Sequence, residues 1–272
     1  MYKISISPEE IDKLPLTTFD KKICVIDSEG PELTKAVAYL KKQKYIGFDT
    51  ETKPTFSPEQ KRMGVALLQL SGPEKAYLFR IKKCGMHAKL CAILSDENIL
   101  KIGAAVADDV RGLEKYHNFT AKSFIDLQKI GWEYGIRDKS VKKMAAIILG
   151  IKISKKEQLS NWEAETLSES QQKYAAMDAW VCREMYVKLL KSEKNPLTKE
   201  QQMPPSQLKQ MLEKQAAKAK KAEEEKKKQE KQKKKKALKR KLYRKRRAER
   251  KKAQKNAELN SNGQSHTEER KG

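Results

Sequence analysis

The sequence predicts an α/β domain with a mixed β-sheet flanked by helices, followed by a basic tail. Short β-branched or apolar runs alternate with segments of helical spacing through most of the chain, which is typical of a sheet with crossover helices. Beyond about residue 200 apolar residues become rare, and such a segment cannot bury a core. We therefore expect one domain over residues 1–200 and a Lys/Arg-rich tail, helical or disordered, over residues 201–272.

Six runs predict strands, and they cover residues 22–27, 45–51, 65–70, 76–81, 99–106 and 123–126. The third and fourth flank the segment SGPEK, whose Gly and Pro favour a turn, so they predict a hairpin. Helical spacing predicts a helix capped by Ser28, another over residues 87–94, and a third that begins at Asp108. From there to about residue 191 we expect mostly helix.

The chain carries 60 Lys and Arg against 36 Asp and Glu, a net charge of +24. From Met203 onward there are 26 Lys and Arg against 9 Asp and Glu. Such a segment attracts polyanions, of which nucleic acid and ribosomes are the obvious examples. The alternative is a solvated tail that binds nothing specific. Because Tyr243 is its single aromatic residue, we expect contact with the phosphate backbone and not base stacking.

The cysteines and the apolar runs bear on compartment. Cys24, Cys84, Cys91 and Cys182 show no CxxC spacing, so we expect neither a zinc site nor a disulfide framework. The first residues do not form a signal peptide. The longest apolar run, MAAIILGI, is well below the ~20 residues that span a bilayer. These features predict a soluble cytoplasmic protein.

Two carboxylates end the second predicted strand, in the segment YIGFDTETKP. Asp49 and Glu51 are two positions apart, so their side chains lie on the same face. Neighbouring acids repel each other unless a cation lies between them or both reach water. The pair therefore indicates either a metal site or a strand end that frays into an exposed turn.

Two further acids lie on predicted helices. A helical wheel places Asp109 at the edge of an apolar face, whereas Asp108 lies on the far side, where it complements the helix dipole. Asp109 could alternatively be only an N-terminal cap. Asp178 lies in an apolar helical stripe one turn after Tyr174, and a buried carboxylate needs a partner. That partner is either a cation or Tyr174 itself in a structural pair.

Taken together, these segments resemble the tyrosine-containing branch (DEDDy) of the DEDD superfamily of 3′–5′ exonucleases, which includes the Werner-type exonuclease domain and ribonuclease D. The resemblance runs from about Tyr45 to Tyr186. Its motifs appear in the family's order and spacing: FDTETKP, VALLQL with YLF, KIGAAVADD, LSNW and QQKYAAMDAW. It implies a ribonuclease H-like fold and a nuclease, a hydrolase that binds nucleic acid.

The resemblance also implies a mechanism with two divalent cations, Mg²⁺ or Mn²⁺, held by carboxylate oxygens. Asp49 would contact both cations, Glu51 and Asp178 the one that binds the attacking water, and Asp109 the second. Tyr174 would orient the water. The implied catalytic residues are thus Asp49, Glu51, Asp109, Tyr174 and Asp178, of which the four acids are the metal ligands.

Two functions follow as hypotheses. The first is a metal-dependent 3′–5′ exonuclease that hydrolyses terminal phosphodiesters at single-stranded 3′ ends of DNA or RNA. The second is a catalytically silent scaffold with the same fold that binds nucleic acid or ribosomes through the tail. Retention of all four acids and Tyr174 favours the first. The sequence does not choose between DNA and RNA, and it leaves the oligomeric state open.

Overall fold

The computed structural model describes residues 1–54 and 64–265, with the side chains of 205 and 255–265 outside the description. Met1–Gln202 and Met203–Gly272 form two separate units. Within the described ranges, no helix combines the length and the apolar character that a membrane span requires.

A six-stranded mixed sheet forms the centre of the first unit. Its order is β1-β4-β3-β2-β5-β6. The strand β3 pairs antiparallel with β2 and β4, and the remaining neighbours are parallel. This confirms the predicted α/β class with a mixed sheet. The strands are β1 (Lys22–Ile26), β2 (Tyr45–Thr52), β3 (Val65–Ser71), β4 (Lys75–Arg80), β5 (Leu100–Gly103) and β6 (Phe124–Asp126).

Helices flank this sheet in the described part of the first unit. A short 3-10 helix, Gly131–Tyr134, follows α6. The longest is α8, which begins with a capping box in which Ser168 and Gln171 bond each other's backbone N–H groups. The helices are α1 (Pro8–Asp12), α2 (Pro31–Leu40), α3 (Ile81–Cys84), α4 (Ala88–Leu94), α5 (Val106–Glu114), α6 (Leu127–Ile130), α7 (Val141–Leu149), α8 (Glu169–Leu189) and α9 (Lys199–Gln202).

The core lies on both faces of the sheet. On one face α2, α4 and α5 bury side chains against Phe48 and Leu68. On the other, α7 and α8 pack against Ile102. Because β2 and β3 are covered on both sides, β3 is buried along its whole length. This explains why VALLQL reads as a continuous apolar run and not as an alternating one.

Several predicted boundaries are wrong, and each has a local reason. Gly30, not Ser28, precedes the first turn of α2, because Pro31 fits the first helical position. The strand β5 ends at Gly103 and α5 begins at Val106, so the predicted strand extended too far and the predicted helix, from Asp108, began too late. Residues 150–168 are largely irregular, where we predicted mostly helix.

The helix α10 (Pro205–Ser265) makes up the described part of the second unit. At 1.5 Å per residue it is about 90 Å long. Its side chains are nearly all exposed through residue 254, and ion pairs such as Glu223–Lys227 and Glu230–Lys234 link successive turns. The helix extends to Ser265, and residues 266–272 lie outside the described ranges.

Candidate active site

The first two carboxylates of the site, those of Asp49 and Glu51, lie in the last half of β2. Gly47, Asp49 and Glu51 occupy alternate positions of the strand, so their side-chain positions share the face that α8 covers. The register with β3 shifts between Glu51 and Thr52. Glu51 is therefore the last residue before the irregularity, and Asp49 lies two positions earlier, within the regular pairing.

The helix α8 crosses this strand at very short range. A Cβ built on Gly47 would lie 1.8 Å from the carbonyl oxygen of Ala179, so a side chain at Gly47 would push the helix away. Asp178 directly precedes Ala179 and is thereby brought to the carboxylate end of β2. Tyr174 lies one turn earlier, on the same side of the helix.

These elements bring three carboxylates together. One oxygen each from Asp49, Glu51 and Asp178 lies within 4.8 Å of the other two. All three residues are half-buried. In the described ranges none of them has a Lys, Arg or His nitrogen within 4.0 Å. The group is thus an uncompensated concentration of negative charge.

The pKa values of the three acids reflect this crowding. Burial, together with the charges of Asp178 and Asp109, raises the pKa of Asp49 well above its usual range. Burial and the charge of Asp49 raise the pKa of Glu51 to about 10. Burial raises the pKa of Asp178 to about 6, while Tyr174 and Lys155 oppose the rise. Ionisation of all three near neutral pH therefore requires added positive charge.

Asp109 takes a different position. It does not belong to the group of three, and the Thr50 hydroxyl donates a 2.5 Å hydrogen bond to its Oδ1. Because Thr50 follows Asp49 on β2, it faces the opposite side of the sheet. Burial raises the pKa of Asp109 to about 6, against the effect of the Thr50 bond. The charge of Asp109 in turn raises the pKa values of Asp49 and Glu51, which places it at the border of the group.

The turn before α5 sets this position. Ala105 adopts a left-handed conformation with φ 59°, and its N–H donates to the Asp126 carboxylate at 3.1 Å. Asp126 is buried and also caps α6, so its contacts are those of a structural residue next to this turn. Asp108, by contrast, is exposed and pairs with Arg111.

Tyr174 packs against a buried aromatic residue. Its ring centroid is 5.9 Å from that of Trp162, which is buried. The Arg80 guanidinium donates to the carbonyls of Ala164 and Glu165 and so fixes the loop that follows Trp162. Burial and the charge of Asp178 raise the pKa of Tyr174 far above its usual range, so its phenol stays protonated.

The opposite wall of the cleft is polar and basic. A cleft of about 260 Å³ contains Asp49, Glu51, Tyr174 and Asp178. The residues of the opposite wall could not be predicted from the sequence, because they come from the short helix α6, the start of α7 and the irregular segment 150–168, where too little periodicity exists to indicate orientation. Its polar residues are Gln128, Lys139, Ser140, Lys142, Lys155 and Gln158.

The donor set fits divalent cations. Carboxylate oxygens are the ligands that hard cations such as Mg²⁺ and Mn²⁺ prefer, and Asp49, Glu51 and Asp178 offer them from rigid elements at mutual distances that one ion can bridge. The raised pKa values also favour a cation site, because a bound cation would compensate the negative charges that repel one another. These three residues can therefore hold a metal ion.

Comparison with known proteins places the chain among nucleases. A family model described as 3′–5′ exonuclease matches residues 25–194. Exonuclease 3′–5′ domain-containing protein 2 of Drosophila melanogaster is 33% identical over 54% of this chain and 25% of its own length. The bifunctional 3′–5′ exonuclease/ATP-dependent helicase WRN of Mus musculus is 31% identical over 53% of this chain and 11% of its own.

A solved structure shows the same fold. Ribonuclease D of Trypanosoma brucei, in complex with RNA, aligns with a TM-score of 0.56 and 20% identity over 64% of each chain. The chain spans about a quarter of the length of the first curated relatives that it matches. The family match covers more than half of the chain and contains the whole carboxylate cluster, and so the chain belongs to the 3′–5′ exonuclease family.

Proposed function

We propose that this protein is a metal-dependent 3′–5′ exonuclease of the DEDDy type, which hydrolyses the terminal phosphodiester of single-stranded DNA or RNA. The observation that carries the proposal is the group formed by Asp49, Glu51 and Asp178 in an open cleft of a chain from an exonuclease family. A silent scaffold would have no use for three repelling carboxylates half-buried together.

Asp49, Glu51 and Asp178 would hold the cations, Mg²⁺ or Mn²⁺, and Asp109 would complete the set from the border of the group. When bound, two such cations activate a water and stabilise the leaving 3′-oxygen. The Thr50 bond occupies Oδ1 of Asp109 and keeps the residue facing β2, so Asp109 would contribute its other oxygen.

The other residues of the cleft act on the substrate. The protonated Tyr174 phenol would orient the attacking water by hydrogen bonding. Phosphate oxygens would be bound by three lysines of the cleft, Lys139, Lys142 and Lys155. Lys155 is close enough to the group for its charge to lower the pKa of Asp178. In hydrolysis the water oxygen forms a bond to phosphorus, the bond from phosphorus to the 3′-oxygen breaks, and a nucleoside 5′-monophosphate leaves.

We also propose that α10 binds the phosphate backbone, and that the charge is concentrated in its distal part. Residues 205–230 carry 8 Lys against 5 Glu, whereas residues 231–252 carry 15 Lys and Arg against 1 Glu. The pair Glu223–Lys227 shows how a proximal acid neutralises a neighbouring lysine. Leu238, Leu242 and Tyr243 are exposed, but they are too few for a membrane-binding face.

The direct test is degradation of labelled substrate. The full chain is incubated with 5′-labelled single-stranded DNA and RNA of one sequence, with Mg²⁺, Mn²⁺ or EDTA, beside Asp49→Ala. We expect a metal-dependent ladder that shortens from the 3′ end and is absent in the variant, and its relative rate on the two substrates would identify the preferred sugar. If the protein bound these substrates but degraded neither of them with Mg²⁺ or with Mn²⁺, the result would support the scaffold instead.

A further inference from the structure

Gln69 is a polar residue buried where the fold has no evident need for one. It lies in the middle of β3 with 0% of its surface exposed. Within the described part of the chain neither its Oε1 nor its Nε2 has a hydrogen-bond partner. A buried amide with both ends unpaired destabilises a fold, so it calls for an explanation.

Its position supplies one. In the antiparallel pair of β2 and β3, Gln69 lies directly opposite Asp49. Residues that face each other across such a pair project from the same side of the sheet, with Cβ atoms typically ~4.5–5.5 Å apart. Gln69 therefore lies beside the carboxylate group, beneath α8.

Its other neighbours on this face are apolar. Leu67 lies two positions earlier on β3, and Leu78 lies opposite Gln69 on β4. Both belong to the buried cluster that includes Trp162 and contacts Tyr174. Methionine or leucine would fill the same space without an unpaired polar atom. The amide thus matters for what it can offer Asp49, not for packing.

We propose that Gln69 is a positioning residue, whose amide N–H orients the Asp49 carboxylate for cation binding through one bridging water. The inference rests on the proposed metal-dependent activity. Asp49 can rotate about its terminal bond, and a donor from the neighbouring strand would restrict that rotation. Outer partners of this kind orient metal ligands, and their loss typically costs about 10–100-fold in metal affinity or activity.

The test separates stability from metal binding in the full chain. Gln69→Met keeps the volume and removes the amide. Ser71→Ala is the matched control, since Ser71 is fully buried on the same face of β3 but its hydroxyl donates to the Gly72 carbonyl at 2.9 Å. Melting temperature without metal, Mn²⁺ affinity by calorimetry, and kcat are measured for each variant.

We expect Gln69→Met to melt at or above the wild-type temperature, yet to bind Mn²⁺ about 10–100-fold more weakly, with a parallel loss of kcat. Ser71→Ala should melt lower and bind Mn²⁺ normally. Unchanged Mn²⁺ affinity in Gln69→Met, or in Gln69→Leu should the first variant fail to fold, would overturn the proposal. A wild-type chain that binds no Mn²⁺ would instead refute the proposed function itself.

Discussion

The carboxylates of the cleft and the basic side chains of α10 are both concentrations of one sign of charge, but they are built in opposite ways. Asp49, Glu51 and Asp178 are few, half-buried and placed within 4.8 Å by two rigid elements. The 15 basic residues of the segment 231–252 are exposed on a single helix, so none of them depends on a neighbour for its position.

The difference shows what each region can do. A carboxylate group under a close-packed helix has one geometry, so every member should be indispensable. An exposed basic helix binds by the number of its charges, and each contributes a small and similar share. Chemistry should therefore be lost through single changes in the cleft, whereas binding should decline gradually through the tail.

The largest effect is expected from the ligands themselves. Asp49→Ala and Asp178→Ala should each reduce kcat by more than about 100-fold, the upper range for changes outside the ligand shell. Both should fold, because removal of one repelling carboxylate relieves crowding. Single-turnover hydrolysis and thermal melting decide this, and substantial activity in both folded variants would show that the site is placed wrongly.

A smaller but sharper contrast lies within one helix. Asp109→Ala should lower kcat by about 10-fold or more, because it removes the acid that Thr50 orients toward β2. Asp108→Ala should change kcat by less than about twofold, since it breaks only the exposed pair with Arg111. The two variants have equal charge and differ only in face. Equal losses of kcat would contradict the placement of Asp109.

The assignment of Asp109 shows how far sequence reasoning reaches. Helical periodicity distinguishes Asp109 from Asp108, and strand alternation places Asp49 with Glu51, because both regular elements fix side-chain direction. Lys155 could not be predicted, since the segment 150–168 has no period. Nor could the contact of Gly47 with Ala179, because a glycine in a strand does not indicate which helix approaches it.

The pH dependence of stability should follow the raised pKa values. Asp109 and Asp178 titrate near pH 6 and Glu51 near pH 10, above their ordinary values. A group with a raised folded pKa favours the fold at low pH and loses that contribution as pH rises through the folded value. Without metal, the melting temperature should therefore fall continuously from about pH 4 to about pH 10, most steeply below about pH 6, where Asp109 and Asp178 add to the effect of Glu51.

Divalent cations should reverse this loss. We expect Mg²⁺ to raise the melting temperature more at pH 8 than at pH 5, where protons compete for the carboxylates. Glu51→Gln should reduce the decline toward pH 10 in EDTA. A Mg²⁺ effect that is the same at both pH values, or larger at pH 5, would show that these acids do not bind the ion.

The smallest effect on chemistry is expected from the tail. Five Lys→Gln changes in the distal part should leave kcat unchanged and reduce the slope of log K against log salt for single-stranded oligonucleotides by up to about 3. The same number of changes in the proximal part should reduce it less, because Glu neighbours already compensate those charges. The distal set is Lys235, Lys236, Lys239, Lys241 and Lys251, and the proximal control is Lys220, Lys221, Lys226, Lys227 and Lys228, which lie around the three consecutive glutamates at 223–225.

Equal slopes for the two sets would mean that the tail does not bind through its distal part. A change in kcat with unchanged affinity would show that the tail affects the chemical step, and would contradict the view that it contributes only to binding.

The most direct test of the central claim is a calorimetric titration of Mn²⁺ into the wild-type chain, Asp49→Asn and Asp108→Asn, each in the absence of nucleic acid. We expect Mn²⁺ to bind the wild type and Asp108→Asn with equal affinity, and not to bind Asp49→Asn. Equal Mn²⁺ binding by all three proteins would contradict that claim.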